Sequence, residues 1–113
     1  MINQRDILLV PFPFSDQSGK KVRPVTVISN DEFNKFSADI IIVGITSNIS
    51  KDKYTISLDN YGLEEGKIEL CCIKVENILR LDKSLVIKKI GKLNKSKFKE
   101  IKSILNNIFN EDK

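Results

Sequence analysis

The chain has 113 residues, of which 41% are hydrophobic and 30% are charged. This length predicts one domain over residues 1–113. The apolar residues fall in short runs, which excludes a membrane-spanning helix. The sequence contains no histidine, so chemistry at neutral pH would have to use arginine, lysine, carboxylate or hydroxyl groups, and no metal site is expected. The net charge of +4 arises in residues 83–113, which carry 9 basic and 3 acidic side chains, whereas residues 1–82 carry 10 basic and 12 acidic side chains. This basic segment either binds a polyanion or forms a solvated surface.

The first predicted element is a buried strand at residues 6–14, which Pro11 and Pro13 restrict to a sheet edge or a bulged exit. Residues 1–6 carry an arginine and an aspartate before only this brief apolar run, and no small-residue cleavage site follows. We therefore expect no signal peptide and a cytoplasmic location.

Further short apolar runs, rich in valine, isoleucine and threonine, predict the remaining strands. These strands are expected at residues 22–30, 40–48, 54–59, 68–75 and 85–90, with one helical turn at residues 31–36 and turns at residues 60–62 and 65–67. The two cysteines, Cys71 and Cys72, are adjacent, and neighbours in a strand point to opposite faces. An ordinary disulfide or a CxxC metal clip is therefore excluded, and buried, unreactive thiols are expected.

The last predicted element is an amphipathic α-helix after Asn94, a residue type that favours the N-cap position. Apolar residues recur at helical spacing with lysines between them: Phe98, Ile101, Ile104, Leu105, Ile108 and Phe109. This apolar stripe either packs on the chain's own sheet or exceeds what one small barrel must bury, in which case it serves a dimer. Six or so short strands closed by one helix predict a mainly β fold, a small barrel without open edges.

A polar, basic loop at residues 14–24 is the first candidate for a functional site. It contains Lys20 and Lys21 and opens into a strand at Arg23, whose backbone Pro24 biases towards an extended conformation. The planar guanidinium matches phosphate oxygens with two parallel hydrogen bonds, so Arg23 is a candidate phosphate ligand. The alternative is an arginine paired with a nearby carboxylate.

Three separated motifs, in register over residues 6 to 109, resemble the MazF/PemK/Kid toxin family and in particular its PemK-like branch. They are DILLVPFPF (residues 6–14) with Gly19 and VRPV (residues 22–25), then IIVGITSN (residues 41–48), and finally LDKSLV (residues 81–86) followed by IGKL (residues 90–93). The resemblance implies an SH3-like β-barrel homodimer that cleaves single-stranded RNA as the endoribonuclease toxin of a type II toxin–antitoxin system. It also implies a cognate antitoxin with an acidic, disordered segment, and no cofactor.

By position, the resemblance assigns Arg23 and Thr46 to the family's active-site arginine and hydroxyl residue. It places Lys74 where some members have a catalytic arginine and Glu76 where they have an aspartate. RNA cleavage by its own 2′-OH needs a base, stabilisation of the charged phosphorane and an acid for the leaving 5′-oxygen, but no metal. Arg23 and Thr46 can stabilise the phosphorane, while Glu76 can act as base and Lys74 as acid. Otherwise Thr46 is only a β-forming residue, and Lys74 and Glu76 form a surface ion pair.

Second-rank candidates flank this pocket and suit contacts to phosphate, ribose or base edges, although polar loop residues usually just face water. They are Asp16, Gln17, Lys20, Lys21, Ser47 and Asn48. The chain departs from the family at Arg5, where a glycine normally precedes the first aspartate and permits an unusual backbone angle. Glu65-Gly66-Lys67 matches half of a metal-nuclease signature but lacks the preceding Pro-Asp, so no metal site is expected there.

Two other classes of function remain open. The same barrel occurs in the CcdB toxins, which bind gyrase without catalysis, and a lysine-rich barrel can bind RNA without cutting it. An endoribonuclease needs the pair formed by Arg23 and Thr46, whereas a gyrase-binding module does not, so this pair discriminates between the classes.

Overall fold

The computed structural model of the chain describes residues 1–11 and 21–112. Within these residues, seven strands follow in chain order: β1 (Asp6–Pro11), β2 (Val22–Val27), β3 (Asp39–Thr46), β4 (Thr55–Leu58), β5 (Leu63–Gly66), β6 (Cys71–Asp82) and β7 (Lys88–Leu93). The helices are α1 (Asp31–Phe36) and α2 (Lys95–Phe109), and short 3-10 helices lie at Asn60–Gly62 and Lys83–Leu85. The candidates Asp16, Gln17 and Lys20 lie outside the described residues.

The strands form one antiparallel sheet in the order β4-β6-β3-β2-β1-β7-β5. The sheet curls into a half-barrel, with β4 and β5 at its two edges. The predicted fold class, a mainly β barrel with a C-terminal helix, is therefore confirmed. The sheet differs from the prediction in being open, since two edge strands remain in the described sheet.

Apolar side chains are buried on both faces of this sheet. On one face, Val43 and its neighbours pack with Phe98 and Ile101 of α2. On the other face, Val25, Ile42 and further residues of β1, β3 and β6 form a second cluster. Adjacent residues such as Ile42 and Val43 belong to different clusters because successive side chains in a strand point to opposite faces. Helix α2 therefore covers only one face of the sheet.

Helix α2 begins where the sequence predicts, because the Asn94 side chain accepts a hydrogen bond of 2.8 Å from the backbone N–H of Lys97. Five residues of the stripe pack against the sheet: Phe98, Ile101, Ile104, Leu105 and Ile108. Phe109 is 72% exposed. The stripe thus packs mainly on its own sheet, the simpler of the two interpretations. Neither α1 nor α2 combines the length and the hydropathy of a membrane-spanning segment, and the part of the chain that the structure describes contains no other such helix.

Arg5 has the unusual backbone angle that its place in the sequence indicates. Its φ is 79°, and no other non-glycine residue among residues 1–11 and 21–112 has a positive φ. The guanidinium donates to the carbonyl oxygen of Leu93 at 2.8 Å and to the carboxylate of Glu64 at 2.9 Å. The hydrogen bond from Arg5 lowers the pKa of Glu64. Arg5 therefore ties β5 and β7 to the start of β1.

The structure differs from the sequence prediction along the second half of the sheet. Residues Leu63–Gly66 form edge strand β5, where a turn around Gly66 was expected. The last strand is Lys88–Leu93 rather than residues 85–90, so Gly91 lies inside it. A Cβ at Gly91 would lie 2.8 Å from the carbonyl oxygen of Glu65, so the glycine is required by the close approach of β5. Strand β6 also continues to Asp82, well past the predicted end.

Both cysteines are buried and free, as the sequence predicts. They begin β6, where the Cys71 thiol lies 3.7 Å from the carbonyl oxygen of Leu58. Burial, with a smaller effect of the neighbouring Cys72, raises the pKa of the Cys71 thiol to about 11. A protonated thiol is a poor nucleophile, so Cys71 is unreactive at neutral pH.

Candidate functional site

Three neighbouring strands bring the main sequence-predicted residues to one face of the sheet. Gly44 on β3 lies opposite Val25 on β2 and opposite Lys74 on β6. Arg23 and Thr46 each lie two residues along from this row, and side chains two residues apart in a strand share a face. Arg23, Thr46 and Lys74 therefore converge on the face opposite to α2.

These side chains line a cleft of about 320 Å³. The residues that line it are Arg23, Pro24, Val25, Ile42, Gly44, Ile45, Thr46, Ser47, Asn48, Lys74, Asn77 and Leu79. Its polar and cationic groups thus stand beside apolar side chains of the second core cluster. A cleft of this volume suits a ligand of about the size of one nucleotide.

The end of β3 supplies hydroxyl and amide groups to the cleft. Thr46 is half-buried, and its hydroxyl oxygen accepts a hydrogen bond of 3.1 Å from the backbone N–H of Asn48. Ser47 and Asn48 are exposed and also line the cleft. The hydrogen bond turns the chain directly after β3, so three consecutive polar residues face one cleft.

Lys74 projects between two carboxylates. Its ammonium nitrogen lies 3.6 Å from a carboxylate oxygen of Glu76 and 3.9 Å from one of Asp52. The ion pair between Lys74 and Glu76, which the sequence analysis gives as the alternative to a catalytic role, is therefore present. The side chains of Lys74 and Glu76 are 35% and 40% exposed, so water screens the interaction. Glu76 is not one of the residues that line the cleft, but it contacts Lys74, which does line it.

A β-bulge in β6 brings one further residue to the cleft. Val43 pairs with Ile78, but the next residue of β3, Gly44, pairs with Lys74, so residues 75–77 have no partner on β3. Such bulges re-aim side chains and are common next to active sites. Here the bulge places Asn77 at the cleft. Asn77 was not among the predicted site residues, because no local sequence pattern marks a bulge of this kind.

The structure thus gathers five of the sequence-predicted residues at one cleft: Arg23, Thr46, Ser47, Asn48 and Lys74. Lys21 is exposed just before β2 and does not line the cleft. Three candidates, Asp16, Gln17 and Lys20, are not described. Among the described residues no group of three or more cysteine, aspartate or glutamate side chains is placed to hold a metal ion.

The cleft offers a guanidinium, an ammonium and a hydroxyl group within one small volume. An arginine fork binds phosphate oxygens in pairs, and a nearby ammonium adds a point charge. The bound group would therefore be an anion of the size of a phosphate or nucleotide. The apolar side chains of Val25, Ile42 and Leu79 form the neighbouring part of the lining.

The sequence matches the family of PemK-like, MazF-like toxins of type II toxin–antitoxin systems over residues 3–109. It is 32% identical to a protein of Staphylococcus saprophyticus named Endoribonuclease MazF, over 93% of this chain and 88% of that protein.

Solved structures share the fold at low sequence identity. The MazE–MazF complex of Deinococcus radiodurans aligns with a TM-score of 0.78 at 15% identity, covering 95% of this chain and 94% of that one. A mycobacterial endoribonuclease in complex with its cognate antitoxin aligns with a TM-score of 0.76 at 15% identity, covering 95% and 93% of the two chains. At this level of identity the likeness concerns the fold alone.

Proposed function

Because the chain belongs to the family of PemK-like, MazF-like toxins of type II toxin–antitoxin systems, we propose that it is an endoribonuclease toxin that cleaves single-stranded RNA, including mRNA. The resemblance found in the sequence is thereby confirmed. The observation that carries the proposal is the cleft in which Arg23, Thr46 and Lys74 meet from three strands. The name of the staphylococcal relative, an endoribonuclease, supports the same activity.

In the proposed reaction, the 2′-hydroxyl of one nucleotide attacks the adjacent phosphorus and the bond to the 5′-oxygen breaks. Negative charge accumulates on the non-bridging phosphate oxygens in the transition state. The Arg23 guanidinium holds two of these oxygens, and the Thr46 hydroxyl donates to the developing charge. The two residues stand on neighbouring strands, so the sheet fixes the positions of their backbones before RNA binds.

Glu76 and Lys74 are the proposed base and acid. The Glu76 carboxylate removes the proton of the 2′-hydroxyl, and the Lys74 ammonium protonates the leaving 5′-oxygen. The attacking and leaving oxygens lie on opposite sides of phosphorus, whereas the two side chains lie 3.6 Å apart without RNA. Their ion pair is long and partly exposed, so an entering phosphate can separate them at little cost.

Cleavage is proposed to be sequence-selective and independent of metal. Ser47 and Asn48 face the cleft and suit contacts to ribose or base edges, with Asp16, Gln17, Lys20 and Lys21 as further candidates. The sequence has no histidine, and transfer to the RNA's own 2′-oxygen requires neither an activated water molecule nor a metal ion.

The test is incubation of the purified protein with single-stranded RNA in the presence of EDTA. Cleavage is expected to persist and to leave 2′,3′-cyclic phosphate or 3′-phosphate ends with free 5′-hydroxyl groups. The control is the Arg23→Ala protein, purified in the same way, because it reports any contaminating ribonuclease. Complete inhibition by EDTA with recovery in magnesium, or 5′-phosphate ends, contradicts the proposed chemistry.

Two partners are proposed for this chain, namely a second copy of itself and a cognate antitoxin. We propose a cytoplasmic homodimer in which the cleft with Arg23 and Lys74 binds the acidic, disordered segment of a cognate antitoxin, in competition with RNA. The mycobacterial endoribonuclease that was solved in complex with its cognate antitoxin supports an antitoxin partner. Light scattering at micromolar concentration tests the dimer. Antitoxin binding should weaken as salt concentration rises, and binding that is independent of salt contradicts its electrostatic basis.

A further inference from the structure

We propose that the side-chain amide of Asn77 contacts the edge of one RNA base beside the scissile phosphate and so sets part of the cleavage-site preference. This inference rests on the proposed function, because it assigns a specificity-determining residue to the same cleft. Asn77 lines that cleft together with Arg23, Thr46 and Lys74.

The bulge in β6 gives Asn77 its position. Residues 75–77 have no partner on β3. The backbone N–H of Val75 donates to the backbone carbonyl oxygen of Tyr54 at 3.1 Å. The three extra residues shift the alternation of β6, so that Asn77 lies on the same face as Leu79 and Leu81 and its amide lies over Gly44 of β3. The bulge therefore changes which side chain lines the cleft as well as interrupting the pairing of β6 with β3.

Gly44 provides the space that the Asn77 amide occupies. A Cβ on Gly44 would lie 2.8 Å from Nδ2 of Asn77, closer than side chains approach one another in proteins. Any larger residue at this position would therefore push the amide aside. Because Gly44 lies in the row between Val25 and Lys74, the amide stands beside the phosphate-binding groups.

The chemistry of the amide suits a base edge. Asn77 is exposed, and its side chain makes no hydrogen bond within the described part of the chain. An amide presents one donor and one acceptor side by side, which matches the paired groups on the edges of unstacked bases. Arginine and lysine hold the phosphate of any nucleotide, whereas a paired donor and acceptor discriminate between bases.

The experiment selects bound sequences from a randomised single-stranded RNA pool with 2′-fluoro groups, which cannot attack phosphorus. The wild-type protein should enrich one base at one position about tenfold or more. Asn77→Ala should abolish enrichment at that position alone, and Asn77→Asp should redirect it towards cytosine or guanine, whose edges donate to a carboxylate. Asn107→Ala, a matched change on the exposed side of α2, should preserve the wild-type pattern.

Gly44→Ala provides a second variant that retains the amide but displaces it. It should abolish the same enrichment, and the double variant with Asn77→Ala should show no further change. Enrichment that survives Asn77→Ala, that falls equally at every position, or that is absent from the wild-type protein would overturn the inference. Failure of the wild-type protein to cut ordinary RNA would overturn the proposed function instead, since the bound pool is read without cleavage.

Discussion

The ammonium nitrogen of Lys74 lies 3.6 Å from a carboxylate oxygen of Glu76, within ion-pair range but longer than a good hydrogen bond. Both side chains remain partly exposed. A surface pair of this kind contributes about 0–1 kcal/mol to stability. The pair is therefore poorly explained as a structural element, and its position beside the cleft makes a chemical role the better proposal.

Removal of either charge should slow cleavage with little effect on stability. Lys74→Gln and Glu76→Gln should each reduce the single-turnover rate by about 100- to 10,000-fold, the range for loss of a general acid or base. The double variant should be slower by much less than the product of the two effects, because the groups act in one proton-transfer scheme.

The matched control is Arg80→Gln, which breaks the exposed pair of 2.6 Å between Arg80 and Asp39 away from the cleft. It should cleave at the wild-type rate. If the Lys74 and Glu76 variants also cleave at that rate, the pair is a surface ion pair and its catalytic assignment is wrong.

The positive φ of Arg5 predicts that glycine at this position is more stabilising than alanine, the reverse of the usual order in a helix. A left-handed backbone costs a residue with a Cβ about 1–2 kcal/mol relative to glycine, so Arg5→Gly should be more stable than Arg5→Ala by about 1 kcal/mol. Both variants lose the hydrogen bond to Leu93, which therefore cancels in the comparison. Urea unfolding measures the difference.

The same pair of substitutions at Lys102, an exposed position within α2, should show the opposite order. There glycine is less stable than alanine by about 1 kcal/mol, since α-helical backbone favours alanine. Equal stability of Arg5→Gly and Arg5→Ala would show that the backbone at Arg5 is not strained.

Elements whose structure is determined locally could be predicted from the sequence, whereas elements that depend on pairing between distant segments could not. The start of α2 was predicted because Asn94 caps its own helix. Strand β5 was missed because its Glu64, Glu65 and Gly66 lack an apolar alternation, and only pairing with β7 makes it a strand. The resemblance identified Arg23 and Thr46, whereas Asn77 depends on a register shift that no single segment encodes.

The buried thiol of Cys71 predicts a loss of stability in alkaline solution. Its pKa is about 11 in the folded protein against an ordinary value of 9.0, so the unfolded chain releases this proton first. The protonated Cys71 thiol therefore contributes fully to the free energy of unfolding below pH 9, and this contribution is lost as the pH rises towards 11. Urea unfolding of the reduced protein should therefore show a decline across this interval.

Cys71→Ala should flatten that decline relative to the wild-type protein. Lys89 also titrates in alkaline solution: burial of its ammonium lowers the pKa, but the hydrogen bond to Glu65 and the charge of Asp6 outweigh burial and raise it. This group is the same in both proteins, so the difference between their pH profiles isolates the thiol. Parallel profiles would contradict the raised pKa of Cys71.

The guanidinium of Arg23 is expected to matter for chemistry and not for folding. Arg23 is half-buried at the start of β2 and outside both apolar clusters. Arg23→Ala should lower the single-turnover rate on saturating RNA by about 100- to 1,000-fold, the usual effect of losing one preorganised donor to a transition state. Arg23→Lys should restore little of this rate, because an ammonium keeps the charge but cannot hold two phosphate oxygens.

The design separates catalysis from binding. Saturating RNA removes any effect of weaker affinity, which would otherwise appear as weaker binding at unchanged turnover. Urea unfolding and light scattering should show stability and assembly close to those of the wild-type protein for both variants. A near-normal single-turnover rate for Arg23→Ala would move the chemistry away from this residue, and the Lys74 ammonium would then have to stabilise the phosphorane charge as well as protonate the leaving oxygen.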